Sequence, residues 1–223
     1  MIKVNHIETY GWEAAIRGMR NPMNSWEKSD TDFALFVEPE IGPNDLALMK
    51  KLFKGGTEHR KYLRQIFVSM DITAPLYWWK EFDTYKVGVT ANSCSTMHKI
   101  ADKEFTIEDF SYEHLCSNGV IDDNRKNNDW DAYGCLLHTI DVLNYFREAY
   151  LMHKTKTYWW QMIQLLPSSY NQKRTITMNY ENVMTIIRQR TGHKLDEWND
   201  FVAVLKRLPY VGCIMELPPE ETS

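Results

Sequence analysis

The stretch "LRQIFVSMDITAPLYWWKEFDTYKVGVTANSCSTM", Leu63 to Met97, decides the fold class, because its periodicity changes at one marked point. Ile66, Val68, Met70 and Ile72 fall on alternate positions, while Phe67, Ser69 and Asp71 take the positions between them. A period of two is that of a strand with one buried face. Ala74-Pro75 then interrupts the alternation, and proline suits a first helical turn because the N–H it lacks would be unbonded there anyway. "LYWWKEFDTYK" is therefore predicted as a helix leaving the strand and ending near Lys86. Beyond it, Gly88 to Thr96 reads as irregular, with Gly88 permitting a tight backbone and Asn92, Ser93, Cys94, Ser95 and Thr96 gathering small polar groups. Such donors beside a cation like Lys86 suit phosphate oxygens, and the same residue types also make plain turns. By residue type alone both readings stand.

Working outward, "IKVNHIET" reads as an opening strand and "WEAAIRGMR" as a short helix after it. In "PNDLALMKKLFKGG", Asn44 or Asp45 can cap a helix whose Leu46, Met49, Leu52 and Phe53 share a face, and Gly55-Gly56 can end it. The polar run from Ser117 to Asp129 reads as an exposed loop between two halves of one domain. "GCLLHTIDVLNYFREAYLMH" is the longest predicted helix, with Leu136, Ile140, Leu143, Phe146 and Tyr150 at helical spacing. "RTITMN" is a short extended piece, "NYENVMTIIRQR" a helix capped by Asn179, and "KLDEWNDFVAVLKRL" a final amphipathic helix. The predicted class is α+β, one domain over 1–223 with a surface loop around 117–129.

Composition bounds the partners. With 223 residues, 43% hydrophobic and a formal net charge of -4, the chain has globular composition and no overall electrostatic case for nucleic acid. No apolar run approaches the roughly 18 residues of a membrane span, and His6 and Glu8 sit where a signal peptide needs apolar residues, so no membrane and a cytoplasmic location are expected. Cys94, Cys116, Cys135 and Cys213 are scattered without any C-x-x-C pair, which fits reduced thiols and no metal site.

The order of helix, Gly-Gly, Glu-His, strand ending in Ala-Pro, aromatic helix and polar segment resembles the flavin-dependent thymidylate synthases. That family's R-H-R-x7-S signature falls here on Thr84, Tyr85 and Lys86, with Cys94 at the serine. Only the last basic residue survives in kind. "GGTEHRKY" is similar to the segment with a flavin-approaching histidine, here His59, and Leu166-Pro167, Thr177-x-Asn179, Arg190 and Trp198 match further family positions, as do Arg17 and Arg20 in the first helix. Glu181 and Ile163 stand where the family has arginines.

The resemblance implies a mostly antiparallel central sheet packed with helices, and a homotetramer with sites between subunits. It implies transfer of a one-carbon unit from methylenetetrahydrofolate to dUMP or a related pyrimidine nucleotide, with FAD as cofactor and NADPH reloading it. It places Arg190 in the catalytic role, His59, Tyr85, Lys86 and Asn179 against the cofactor, and Glu81, Lys86, Ser93, Cys94, Ser95 and Arg190 against substrate. Each charge-assisted phosphate contact is worth about 1.5–3 kcal/mol, so the lost arginines weaken anion binding unless Lys61, Arg64, Lys80 or Lys173 compensates. The alternative is a scaffold of the same kind that sequesters a nucleotide without chemistry.

Overall fold

The computed structural model describes residues 2–33, 39–116 and 131–218; the polar run Ser117 to Asp129 lies outside them. Four strands form one sheet in the order β1-β2-β4-β3: β1 is Lys3–Tyr10, β2 Phe67–Pro75, β3 Val89–Ser93 and β4 Asn171–Asn179. Ser69 and Thr177 share a 2.6 Å hydroxyl contact, and the Thr175 hydroxyl donates to Asp71 at 2.6 Å. A step of two forward on β2 meets a step of two back on β4, which is antiparallel register. The helices are α1 Trp12–Arg20, α2 Pro43–Lys54, α3 Leu76–Phe82, α4 Thr96–Lys99, α5 Ala132–His153, α6 Lys156–Leu165, α7 Tyr180–Arg190, α8 Asp196–Lys206 and α9 Val211–Met215. The chain is α+β, as the alternation in β2 and the helical periods around it predict.

Contacts divide the chain into two compact units, each built from separated segments. One comprises Ile2–Ile72, Asp83–Asn92 and Arg174–Ser223, and so holds β1, α1, α2, α7, α8 and α9. Its core is the apolar face of β2 and β4, Val68, Met70, Ile72, Ile176 and Met178, with Tyr180, Trp198 and Phe201 from the helices that follow. Removing each such side chain from water stabilises the fold by about 1.5–3 kcal/mol.

A polar knot ties α1 to α2 in this unit. Asp45, fully buried, accepts from Arg20 Nε at 2.6 Å, from the Ser29 and Thr31 hydroxyls, and from the Asp30 and Thr31 N–H groups. Burial pushes its pKa up, but the hydrogen bonds from Thr31, Ser29, Arg20 and the Asp30 backbone outweigh it and hold the carboxyl below its ordinary range. Neither Asn44 nor Asp45 is therefore the cap expected of α2. The Asp30 carboxylate, distant in sequence, accepts from the Asn44 and Asp45 N–H groups instead, leaving Asp45 free to face inward.

The other unit comprises Thr73–Phe82 and Ser93–Lys173. Here α5 packs on α6 around Leu136, Ile140, Leu143 and Met162, with Phe105 and Phe110 completing the cluster. Trp78 and Trp79 of α3 are wholly buried, ring to ring at 4.9 Å, and Trp79 Nε1 donates to the Gln172 carbonyl. The aromatic run of α3 is core.

Two boundaries differ from the sequence prediction. α3 ends at Phe82 rather than near Lys86, because Asp83 accepts from Arg174 Nη1 at 2.7 Å and Tyr85 is held by side chains of α7 and α8. Gly88 to Thr96 is not an irregular loop: Val89–Ser93 is an edge strand, and its polar, exposed residues show no alternation that could announce it. Among the described residues no helix is long and apolar enough to cross a membrane.

Candidate functional site

The last residue of β4, Asn179, turns the chain into α7. Its side-chain oxygen accepts from the Asn182 N–H at 3.0 Å, satisfying one of the unbonded donors of a helix start. Asn182 Nδ2 in turn donates to the Val87 and Gly88 carbonyls, pinning the segment that follows α3 along α7. Gly88 has φ +74°, and a Cβ there would sit 2.5 Å from Asn179 Nδ2, so both conformation and space demand glycine.

About two turns on from Asn182, α7 delivers Gln189 and Arg190 to the same segment. The Tyr85 hydroxyl donates to Gln189 Oε1 at 2.9 Å and accepts from Arg190 Nε at 3.0 Å. The Arg190 guanidinium carbon lies 4.4 Å from the Trp198 ring centroid and 5.6 Å from that of Tyr85, and Nη1 lies 3.1 Å from His193 Nε2. Aromatic faces and hydrogen bonds thus hold a planar donor fork in one orientation.

Beside the start of α7 lies a cleft of about 630 Å³, lined by Thr57, Arg60, Arg64, Asn179, Glu181 and Arg188 among others. Arg64 grips Glu181 with both nitrogens, Nε to Oε2 at 2.5 Å and Nη2 to Oε1 at 3.4 Å, while Arg60 Nε lies 3.8 Å from Oε1. The hydrogen bond and charge of Glu181 push the Arg64 pKa further up. Arg60 and Arg188 both lie over the Phe53 ring, at 5.6 and 4.8 Å. Three guanidiniums and one carboxylate line the cleft, of which Arg64 and Arg60 approach the carboxylate, and Arg60 Nε is buried without a hydrogen-bond partner. That donor set fits an anionic, phosphate-bearing group such as a nucleotide or FAD. A larger groove of about 1020 Å³ at Lys50, Lys206, Arg207 and Cys213 contains none of the residues predicted from sequence.

No protein-family model matches the sequence, and no curated protein matches it. Solved structures do. Thymidylate synthase X from Helicobacter pylori, crystallised with FAD and dUMP, superposes with TM-score 0.67 over 97% of this chain and 98% of its own, at 15% identity. The chain has the flavin-dependent thymidylate synthase fold. The UMP/dUMP methylase PolB from Streptomyces cacaoi shares it: bound to 5-Br UMP it gives TM-score 0.60 at 12% identity over 92% of this chain and 88% of its own, and bound to 5-Br dUMP 0.58 at 14% over 86% and 78%.

Within this thymidylate synthase fold, the residues predicted from sequence fall in both compact units. Arg190 and Tyr85 meet directly, and Asn179 lies one α7 length away on the cleft. Lys86 is exposed next to Tyr85, with its backbone N–H on the Thr84 carbonyl. His59 is exposed and packs against Gly55, two residues from the cleft-lining Thr57. Glu81, Ser93, Cys94 and Ser95 belong to the other compact unit. Glu81 is half-buried on α3; Ser93 ends β3; the Cys94 N–H bonds the Lys173 carbonyl; and the Ser95 hydroxyl caps α4 by accepting from the His98 N–H. All four cysteines are free thiols, exposed and outside any disulfide.

Sequence reasoning missed Arg60 and Arg188, and named Arg64 only beside Lys61, Lys80 and Lys173 as a cation that could compensate for lost phosphate contacts. The i, i+4 pair in "RKYLR" was the available signal. Its partner, a lone Glu181 more than a hundred residues on, is visible only once the chain is folded.

Proposed function

We propose that this chain binds a pyrimidine nucleotide such as dUMP together with FAD, and transfers a one-carbon unit from methylenetetrahydrofolate to the nucleotide, with NADPH reducing the flavin. The observation that carries this reading is the likeness of fold, over nearly the whole length of both chains, to proteins solved with FAD and dUMP and with brominated UMP and dUMP. FAD, when bound, supplies the reducing equivalents for the transferred carbon. The chain's own part is to hold and orient. Arg190, fixed by Tyr85 and Trp198, presents a fork suited to a base carbonyl. Arg60, Arg64 and Arg188 supply charge for phosphate, with Asn179 beside them. The active form is a cytoplasmic homotetramer.

Sequestration without chemistry is the second reading, favoured by Thr84 and Tyr85 in place of basic residues and by the Tyr85 hydroxyl being taken up by Arg190 and Gln189. One preparation separates the two. The flavoenzyme reading predicts the two-banded visible spectrum of oxidised flavin in the freshly purified protein, and methylated nucleotide when dUMP, methylenetetrahydrofolate and NADPH are added. A colourless protein that binds dUMP in calorimetry but never turns it over establishes sequestration, and one that binds no nucleotide defeats both.

A further inference from the structure

The arginine cleft already contains an anion of its own. Glu181 stands in the first turn of α7, side chain 23% exposed, and it takes both nitrogens of the Arg64 fork and lies against Arg60. A carboxylate in fork-to-fork contact with arginine occupies the geometry in which arginine takes a phosphate. The Arg188 side chain, by contrast, rests on Phe53 and makes no hydrogen bond or ion pair among the described residues. Arg60 keeps a buried Nε with no hydrogen-bond partner, its guanidinium's one hydrogen bond among the described residues running from Nη2 to Thr57 Oγ1 at 3.3 Å. The cleft is therefore part filled and part open: one fork is satisfied internally, and two guanidiniums are short of partners.

We propose that Glu181 is an internal counter-ion that sets which anions the cleft accepts, so that a phosphate-bearing ligand binds by exchanging Glu181's contacts on Arg64 and Arg60 for its own. With Glu181 charged, the three arginines carry a surplus of two, which matches a phosphomonoester or the esterified diphosphate of a dinucleotide. The exchange lowers apparent affinity by the fraction of time Glu181 holds the forks. Because Arg64 is nearly half exposed, the exchange occurs at the cleft's solvent side and needs no unfolding of α7. The inference concerns the phosphate group, free or carried on a nucleotide, and stands whether or not the chain is a flavoenzyme.

The test is isothermal titration calorimetry of the full chain with inorganic pyrophosphate, dUMP and FAD as separate probes, on the parent, Glu181→Gln and Arg188→Met. Glu181→Gln is expected to bind pyrophosphate about tenfold tighter than the parent, with a steeper loss on adding salt, and Arg188→Met about tenfold weaker, the size of one charge-assisted contact. A Glu181→Gln protein that is folded by circular dichroism yet binds pyrophosphate no tighter overturns the proposal. The parent supplies a readout independent of any variant: the Arg64 and Arg60 Nε–H resonances must shift as pyrophosphate is added, and signals unmoved up to millimolar probe overturn it as well. A gain confined to pyrophosphate and FAD assigns the cleft to a diphosphate; a gain for dUMP assigns it to a monophosphate. Tighter pyrophosphate binding without dUMP or FAD binding would sink the nucleotide function and leave this inference standing. Equal dUMP binding with no pyrophosphate gain does the reverse.

Discussion

Single side chains here divide into those that hold the fold and those that shape the clefts, and Arg20 and Arg190 show the difference. Arg20 is buried against Asp45, so removing either partner strands a charge away from water; Asp45→Ala should cost about 3–5 kcal/mol in urea denaturation. The depressed Asp45 pKa gives the sign of its pH dependence. The carboxylate's contribution is fully present above the unfolded value near 3.8 and is lost as pH falls through the lower folded one. The stability gap between parent and Asp45→Asn should therefore narrow below about pH 4, and a gap constant down to acid unfolding would show that another group governs it. Arg190 is half-buried over Trp198. Arg190→Ala should cost only about 1–3 kcal/mol, from one cation–π contact and its hydrogen bonds, while dUMP affinity in calorimetry drops at least tenfold. Unchanged affinity would remove Arg190 from the site.

At the scale of elements, the junction of β4 with α7 positions everything that lines the arginine cleft from that side. Asn179 caps α7, Asn182 fastens Val87 and Gly88, and Gly88 admits the Asn179 amide where a methyl group would collide. Asn179→Ala should lower stability by about 1 kcal/mol through the lost cap. Gly88→Ala should cost more, because a Cβ makes the positive φ unfavourable and collides with the Asn179 and Asn182 side-chain amides that hold the cap and the segment. Thermal melts of the two variants check the order. A Gly88→Ala protein melting with the parent would mean that the segment after α3 can move off α7 without penalty, and Arg190 would then lose its fixed partner at Tyr85.

For the molecule as a whole, the exposed apolar side chains of α5 argue for assembly. Leu137, Tyr145 and Met152 recur at spacings of eight and seven and so share one helical face, and Tyr145 and Met152 are 66% and 77% exposed in the isolated chain. The proposed homotetramer predicts a stable oligomer in light scattering at micromolar concentration, and a shift toward monomer in Tyr145→Asp. A monomeric parent would refute the tetramer.

Local pattern was enough for much of this. The alternation of Val68, Met70 and Ile72, the start of α1 at Trp12 and the Asn179 cap all depend on neighbours within a few residues, and all three are legible in the sequence. Motif order along the chain also carried the fold, although Thr84 and Tyr85 had erased the signature's first two basic residues. The edge strand Val89–Ser93 was not legible, because an exposed strand has no buried face to impose a period of two. The same holds for the Asp30 carboxylate capping α2, the Arg190 fork on Trp198 and Tyr85, and Arg64 on Glu181. Charge and hydrogen-bond complementarity act through space, so only the tertiary structure decides which arginine meets which carboxylate, and with it which cations remain to meet a ligand.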